Sequence, residues 1–230
     1  MPNRKTIKVQ NRTGSDQTYA LFNEAPRVQG HVQGQIWSNV FGTTRAPRGA
    51  MAAFSVSNQY YAFTGTSEGR PQMGVGVNVS SERAVTLGSI RDDGTHTPGN
   101  TVQLSGEDNA LYFNNNPSPD SAFSGAFAIR SSNDFTASDA SRGNYIVGLG
   151  GSRNGQGFDG PLASFVPDPA VEYQILPSNT WYLTFGDYRQ GSLITKERVG
   201  GPLVAIDFNN LPGDVTIVHD DSGRLVLQRD

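Results

Sequence analysis

Hydrophobic and polar residues alternate with a period of two along most of this chain, and the clearest case is residues 73–79. There, apolar side chains occupy every second position, and Gly or Asn occupies the positions between them. Because successive side chains of a strand point to opposite faces, this spacing predicts a half-buried β-strand. Similar runs predict strands at residues 6–10, 18–22, 36–41, 53–57, 60–64, 101–104, 111–113, 126–130, 145–149, 172–176, 181–185, 203–208, 215–219 and 225–228.

Turn sequences rich in Gly, Asn, Asp and Pro separate these runs, as at residues 92–94, 114–117, 209–213 and 220–223. No run of comparable length has helical spacing. The pattern therefore predicts an all-β fold with little helix: an antiparallel β-sandwich, jelly-roll-like, or a barrel. The sequence contains no repeat of about 20–50 residues, so we expect a single β domain over residues 1–230.

Two segments are expected to form long loops, the polar residues 131–144 and the glycine-rich residues 150–161. Loops of this length inside compact domains are often functional. Residues 155–160 formally match the GxGxxG dinucleotide fingerprint. However, Pro161 follows and no helical pattern comes next, so we interpret this segment as a surface loop or lid.

The charge of the chain gives no indication of a nucleic-acid partner. The formal net charge is −3, and no segment gathers the Lys and Arg residues of a duplex-binding surface. No apolar run approaches the length of a membrane span, so no membrane crossing is expected. A chain of 230 residues without cysteine is large enough to build a core that needs no disulfides.

The compartment is left open by the sequence. The first residues lack the apolar h-region of a signal peptide, so the protein is secreted or in an endomembrane lumen if a signal was removed, and otherwise cytoplasmic. Asn11 and Asn78 each begin an N-glycosylation sequon, and whether either is glycosylated is also left open.

Few residues could support metal or nucleophilic chemistry. The three histidines, His31, His96 and His219, are each separated from the next by more than 60 residues, and no serine lies in a G-x-S-x-G elbow. We therefore predict no metal site and no cofactor, and assign no catalytic residue.

Aromatic residues are the best candidates for ligand contacts. In a strand, the neighbours Tyr60 and Tyr61 point to opposite faces, and so do Trp181 and Tyr182. One member of each pair must therefore meet solvent, a loop, a pocket or a partner chain, while most aromatic rings pack in the core. The predicted ligand-binding residues are Trp37, Tyr60, Tyr61, Trp181, Tyr182 and Tyr188 as walls, with Arg189 and Asn58 as polar neighbours.

Residues 19–26 (YALFNEAP), 35–41 (QIWSNVF) and 179–186 (NTWYLTFG) together resemble a group of filamentous-fungal β-rich proteins. Within that group, the chain resembles relatives of the hetero-Diels–Alderases of tropolone sesquiterpenoid biosynthesis, which join a tropolone-derived quinone methide to a humulene-type terpene. The resemblance implies a cofactor-free enzyme of fungal secondary metabolism, a β-rich fold and a homodimer. It transfers no catalytic residue.

The leading hypothesis is a protein that binds an apolar or aromatic natural product and catalyses a cofactor-free cycloaddition. A pericyclic step needs two reactants in a near-attack geometry and a hydrogen-bond donor where charge accumulates. The same aromatic and polar residues would suit a carbohydrate-binding lectin, which is the first alternative. The second alternative is a structural or interaction protein that uses exposed strand aromatics as its interface.

Overall fold

The computed structural model describes residues 4–114, 116–121 and 123–228. It is 56% strand and 4% helix, which confirms the predicted all-β class, and none of the sheets in these ranges closes into a barrel. The strands are β1 (Arg4–Asn11), β2 (Gln17–Asn23), β3 (Arg27–Gln29), β4 (Gln33–Ala46), β5 (Met51–Ser57), β6 (Tyr60–Ser67), β7 (Val77–Val85), β8 (Ser89–Ile90), β9 (His96–Thr97), β10 (Gly99–Glu107), β11 (Ala110–Phe113), β12 (Ser118–Ser121), β13 (Phe127–Ser131), β14 (Tyr145–Gly151), β15 (Gly160–Val166), β16 (Glu172–Leu176), β17 (Thr180–Phe185), β18 (Leu193–Ile194), β19 (Val204–Asp207), β20 (Asp214–His219) and β21 (Leu225–Leu227).

The largest sheet has nine strands in the order β19-β17-β2-β4-β15-β14-β6-β7, with β18 also paired to β4. All of its pairings are antiparallel. On β2, Tyr19 and Leu21 belong to the main hydrophobic core, whereas Ala20 and Phe22 belong to a smaller cluster. Because strand neighbours point to opposite faces, the two clusters lie on opposite faces of this sheet.

Two smaller sheets share the main core with the nine-stranded sheet. One has the order β21-β20-β1-β5, and the other has the order β11-β10-β13-β16-β3 with β12 also on β10. Each contains one parallel pair, β1 with β20 and β10 with β13. Ile7, Tyr19 and Ile129, one from each of the three sheets, belong to one buried cluster. The sheets therefore pack as in a sandwich, and β8 and β9 form a separate hairpin.

The smaller cluster covers the other face of the nine-stranded sheet. It consists of Ala20, Phe22, Val40, Tyr182 and Ile194. Met73, Tyr188, Val199 and Leu203 pack against it while keeping partial exposure. Three of these four covering residues come from the segment between β17 and β19, so that segment shields this face of the sheet.

Two segments differ from the sequence-based expectation. The run at residues 73–79 becomes strand only from Val77, because Gly74 has a φ of +85° and the backbone around it hydrogen-bonds to Leu193. The expected loop at residues 131–144 contains a short helix, α1 (Ala137–Arg142), which begins with a capping box between Thr136 and Asp139.

The two glycosylation sequons have different surroundings. Asn11 is fully buried, and its side-chain amide donates to the carbonyls of Ser15, Ala46 and Pro47 at 2.9–3.1 Å. Asn78 is exposed on β7. Of the two, only Asn78 therefore presents its amide to solvent.

Residues 1–3 and residue 115, which belongs to the predicted turn at 114–117, lie outside the described residues. Within the described ranges, no helix is both long and apolar enough to cross a membrane.

Candidate functional site

A cleft of about 830 Å³ opens where the chain crosses twice between the nine-stranded and six-stranded sheets. The first crossing, residues 24–26, joins β2 to β3, and the second, residues 177–179, joins β16 to β17. The start of β4 and residues 194–197 complete the walls. The lining residues are Phe22, Glu24, Ala25, Arg27, Gln35, Ile36, Ser38, Leu176, Pro177, Ser178, Asn179, Thr180, Tyr182, Ile194, Thr195, Lys196, Glu197 and Asn209.

A hydrogen-bonded cluster around Glu24 stands on the wall of the cleft. The Tyr182 hydroxyl donates to Glu24 Oε1 at 3.1 Å, and Lys196 Nζ donates to the same oxygen at 3.0 Å. Lys196 Nζ also lies 3.3 Å from the Tyr182 hydroxyl oxygen, and the Ser178 hydroxyl donates to Glu24 Oε2 at 3.1 Å. We call these four residues, Glu24, Ser178, Tyr182 and Lys196, the Glu24 cluster.

The Glu24 cluster fixes the charge of its members at neutral pH. Burial alone would raise the pKa of Glu24, but hydrogen bonds from Lys196, Ser178 and Tyr182 outweigh it and lower the pKa. Hydrogen bonds to Glu24 and to Tyr182 raise the pKa of Lys196. Burial raises the pKa of the Tyr182 hydroxyl, although the hydrogen bond with Lys196 opposes it. The cluster therefore holds an ionised carboxylate, an ammonium group and a neutral phenol.

Apolar side chains and a further cation share the cleft with this cluster. Phe22 stacks on the Tyr182 ring with 5.4 Å between centroids, and half-buried Ile36, Leu176 and Pro177 add apolar surface. Arg27 is exposed at the edge of the cleft, and it forms no ion pair with any of the residues described. The cleft thus combines apolar walls with donors suited to an oxygen-bearing ligand.

Only Tyr182 among the predicted site residues lines this cleft. Trp37 lies between the lining residues Ile36 and Ser38 on β4, so strand alternation points its ring to the opposite face. Trp181 joins the main core, with its ring 5.5 Å from that of Phe41. Both tryptophans are less than a tenth exposed.

The other predicted residues are dispersed outside the cleft. Tyr60 is in the main core, whereas Tyr61 makes an edge contact with Phe158 of the glycine-rich loop, 5.8 Å between centroids. Tyr188 packs against the smaller cluster, and exposed Arg189 forms an ion pair of 2.6 Å with Glu68. Asn58 is exposed in the turn between β5 and β6.

Sequence reasoning missed Glu24, Lys196 and Arg27. Two signals were present, and the first is that Lys196 is one of only three lysines in a chain rich in arginine. Glu24 and Arg27 fall within or beside residues 19–26, one of the segments that carry the family resemblance. Neither signal indicated which strand face these side chains share.

The fold and the cleft define an all-β protein of packed sheets with an open, polar-walled cleft of a size that suits a small molecule. A family model described as RhiA matches residues 2–230, so the chain belongs to the RhiA family. This assignment agrees with the family resemblance seen in the sequence. No curated protein and no solved structure gives a significant match. In the ranges described, no group of three or more His, Cys, Asp or Glu side chains is placed to hold a metal ion.

Proposed function

We propose that this protein binds an oxygenated hydrophobic small molecule in the cleft and catalyses a cofactor-free, hetero-Diels–Alder type cycloaddition on it. The observation that carries the proposal is the Glu24 cluster on the wall of an 830 Å³ cleft. Membership of the RhiA family and the resemblance to the tropolone sesquiterpenoid hetero-Diels–Alderases support the reaction class.

The Glu24 cluster supplies the kind of group that the reaction needs, a hydrogen-bond donor. An oxygen-containing diene, such as a quinone methide, adds to an alkene, so that one C–C and one C–O bond form while no atom leaves. In an asynchronous transition state, negative charge accumulates on the diene oxygen. A donor positioned at that oxygen stabilises the transition state more than the ground state. Lys196 Nζ is the donor we assign to this role, because the single hydroxyl proton of Tyr182 is already donated to Glu24.

Glu24 and Tyr182 position this donor. The Glu24 carboxylate accepts from the Lys196 ammonium and from the Tyr182 hydroxyl, and the hydroxyl oxygen accepts from Lys196 at 3.3 Å. The ammonium group has three donors, two of which bond to Glu24 and Tyr182, so a ligand oxygen can receive the remaining proton. Preorganised donors of this kind lose little rotational freedom when the ligand binds.

The apolar surface that is partly exposed in the cleft, on Ile36, Leu176 and Pro177, would bind the hydrocarbon part of the ligand. Each 100 Å² of apolar surface removed from water contributes about 2.5 kcal/mol. The polar side chains at the mouth, including Asn179 and Asn209, favour a ligand with several oxygens over a pure hydrocarbon. We therefore expect the oxygenated reactant to bind more tightly than the terpene.

Isothermal titration calorimetry with tropolone, with humulene and with simple sugars tests the binding step. Tryptophan fluorescence is a poor readout, because Trp37 and Trp181 point away from the cleft. We expect Lys196→Gln to weaken tropolone binding about 10-fold, equivalent to roughly 1.4 kcal/mol for a lost charge-assisted hydrogen bond. Tyr182→Phe removes only a group that positions Lys196, so it should weaken binding by less. Tyr61→Phe and Lys8→Gln are matched controls outside the cleft and should bind as the wild type does.

A coupling assay with a quinone methide precursor and humulene tests the catalytic step. The wild type should accelerate product formation over buffer, and Lys196→Gln should lose about 10-fold to 100-fold of that acceleration. If the wild type neither binds tropolone nor accelerates coupling, the proposal fails. The reading as an interaction protein would then gain weight, together with the homodimer that the resemblance implies.

The carbohydrate-binding alternative has one observation in its favour, the polar mouth of the cleft formed by Gln35, Ser178, Asn179 and Asn209. A sugar normally also stacks on an open aromatic face. Tyr182 offers little open ring, because Phe22 stacks on it and the residue is 9% exposed. A calorimetric response to sugars alone would nevertheless favour the lectin.

A further inference from the structure

A second, smaller cavity of about 370 Å³ lies on the other side of the main core, between β4 and β5. The glycine-rich loop between β14 and β15 covers it through Arg153 and Asn154. We call it the arginine cavity. Its lining residues are Arg4, Leu21, Phe41, Gly42, Thr43, Thr44, Ala53, Phe54, Ser55, Arg153 and Asn154.

The arginine cavity contains two guanidinium groups and is lined by no carboxylate. Arg4 donates to the Ser55 hydroxyl at 2.8 Å, and Arg153 donates to the Phe41 carbonyl at 3.3 Å. In the described ranges, neither guanidinium forms an ion pair. The nearby Asp159 carboxylate accepts from the backbone N–H of Arg153 at 2.6 Å, so it fastens the loop and leaves the guanidinium charge uncompensated.

Uncharged donors complete the lining. The Ser55 hydroxyl accepts from Arg4, so its own proton is available to a ligand. Thr44, which pairs with Tyr19 on the main-core face of β4, also lines this space. Arg153 is also held in place, because its guanidinium carbon lies 5.7 Å from the centroid of the Phe41 ring. A planar, preorganised guanidinium binds the two oxygens of a carboxylate or phosphate side by side.

We propose that the arginine cavity is a binding site for a small oxyanion, either a carboxylate or a phosphate. The net positive lining and the hydroxyl donors favour a negatively charged ligand. The volume is at the lower end of the range for small-molecule sites, which fits a ligand of a few to about a dozen heavy atoms. The site is separate from the cleft, since it shares no lining residue with it.

Calorimetric titration of the full chain at low ionic strength tests the site, with benzoate and inorganic phosphate as probes. We expect saturable binding of at least one probe. Arg153→Gln and Arg4→Gln should each weaken it at least 10-fold. Arg45→Gln is the matched control, because Arg45 is an exposed arginine on β4 that pairs with Asp16 and lies outside the cavity.

A steric variant gives an independent measure. A Cβ at Gly42 would sit 3.5 Å from the Phe54 ring and 3.7 Å from Arg153, which are ordinary contacts. Gly42→Ala should therefore fold and narrow the cavity, so that benzoate binding weakens more than phosphate binding does. Thermal unfolding of each variant separates lost binding from lost structure.

Each outcome decides the proposal. Binding of phosphate alone or benzoate alone identifies which oxyanion the site takes. The proposal is overturned if neither probe binds, if Arg4→Gln and Arg153→Gln bind as the wild type does, or if Arg45→Gln weakens binding equally through net charge. Tyr182→Phe should leave this binding unchanged, so failure here is distinguishable from failure of the proposed cleft function.

Discussion

The two faces of the nine-stranded sheet place tyrosines from neighbouring strands in opposite surroundings. Tyr19 on β2 is fully buried in the main core, and its hydroxyl hydrogen-bonds with His219 Nδ1 at 3.0 Å. Tyr182 on β17 faces the cleft and joins Glu24 and Lys196. Both strands alternate their side chains in the same way, so the difference arises from what covers each face.

The surroundings give the two hydroxyls different properties. Burial raises the pKa of Tyr19 to about 12, and no charged group offsets the effect. For Tyr182, the hydrogen bond with Lys196 works against burial. On the core face, His219 Nε2 is buried and has no hydrogen-bond partner within the described residues. The core face therefore contains a buried polar atom without a partner among the described residues, whereas the side chains of the Glu24 cluster hydrogen-bond to one another.

The largest expected contrast is in stability. Trp181→Ala removes a large ring from the main core and should lower the free energy of unfolding by about 3–5 kcal/mol. Tyr182→Phe, one position along the same strand, should lower it by less than about 1.5 kcal/mol. Urea denaturation measures both. Equal losses would show that the cleft face supports the fold as strongly as the core face does.

A smaller effect is expected for the buried hydroxyl. Tyr19→Phe leaves Nδ1 of His219 unpaired beside an Nε2 that already lacks a partner, which should cost about 1–3 kcal/mol. Tyr182→Phe is the control, because Glu24 keeps its bonds from Lys196 and Ser178. If Tyr19→Phe loses no more free energy of unfolding than Tyr182→Phe does, the distinction between the two faces is contradicted.

The core face should also respond to mild acid. Burial lowers the pKa of His219, so the unfolded chain takes up a proton at a higher pH than the folded chain does. The stability due to neutral His219 is therefore complete above the ordinary value of about 6.5 and falls as pH decreases from there to the folded pKa. Asp220 has a pKa of about 2 and stays ionised throughout this window.

Urea denaturation between pH 8 and about pH 5 checks this expectation. The wild type should lose stability as pH falls through this range, and His219→Asn should show a flatter profile. Tyr182→Phe should keep the wild-type slope. An unchanged slope in His219→Asn would assign the acid sensitivity to other groups.

The smallest effect on stability is expected for Lys196, the cation of the Glu24 cluster. Lys196 and Glu24 have side chains 44% and 34% exposed, so their ion pair contributes about 0–1 kcal/mol. Lys196→Gln should therefore leave the urea midpoint nearly unchanged while it weakens tropolone binding about 10-fold. A large loss of stability with unchanged binding would reverse the roles given to the two faces.

The sequence predicted much of this fold because strand alternation is a local signal. The pairs Tyr60–Tyr61 and Trp181–Tyr182 do split between faces, with Tyr60 and Trp181 in the main core. The strand predicted at residues 73–79 was wrong over its first half. Gly74 has a left-handed backbone conformation there, and the backbone around it hydrogen-bonds to Leu193. A tertiary pairing overrode the local pattern there.

The cleft could not be predicted in the same way. Lys196 and Glu24 are 172 residues apart, and their contact depends on where two crossings between sheets place the backbone. Strand alternation predicts that Trp181 and Tyr182 lie on opposite faces of the sheet, but it does not predict which face a second sheet covers. Only the packing of the sheets makes Tyr182 the residue at the cleft.

The parallel pairing of β1 with β20 has a consequence for how the chain folds during synthesis. Thr6 is opposite Asp214, 208 residues further along, so β1 finds one of its two neighbours only after those residues have been synthesised. Until then β1 has β5 on one side and an open edge on the other, which is a site for wrong pairing. Proteins with many contacts between distant residues fold slowly. Here the late strands β20 and β21 complete the four-stranded sheet. Removing them would leave a nascent chain prone to aggregation.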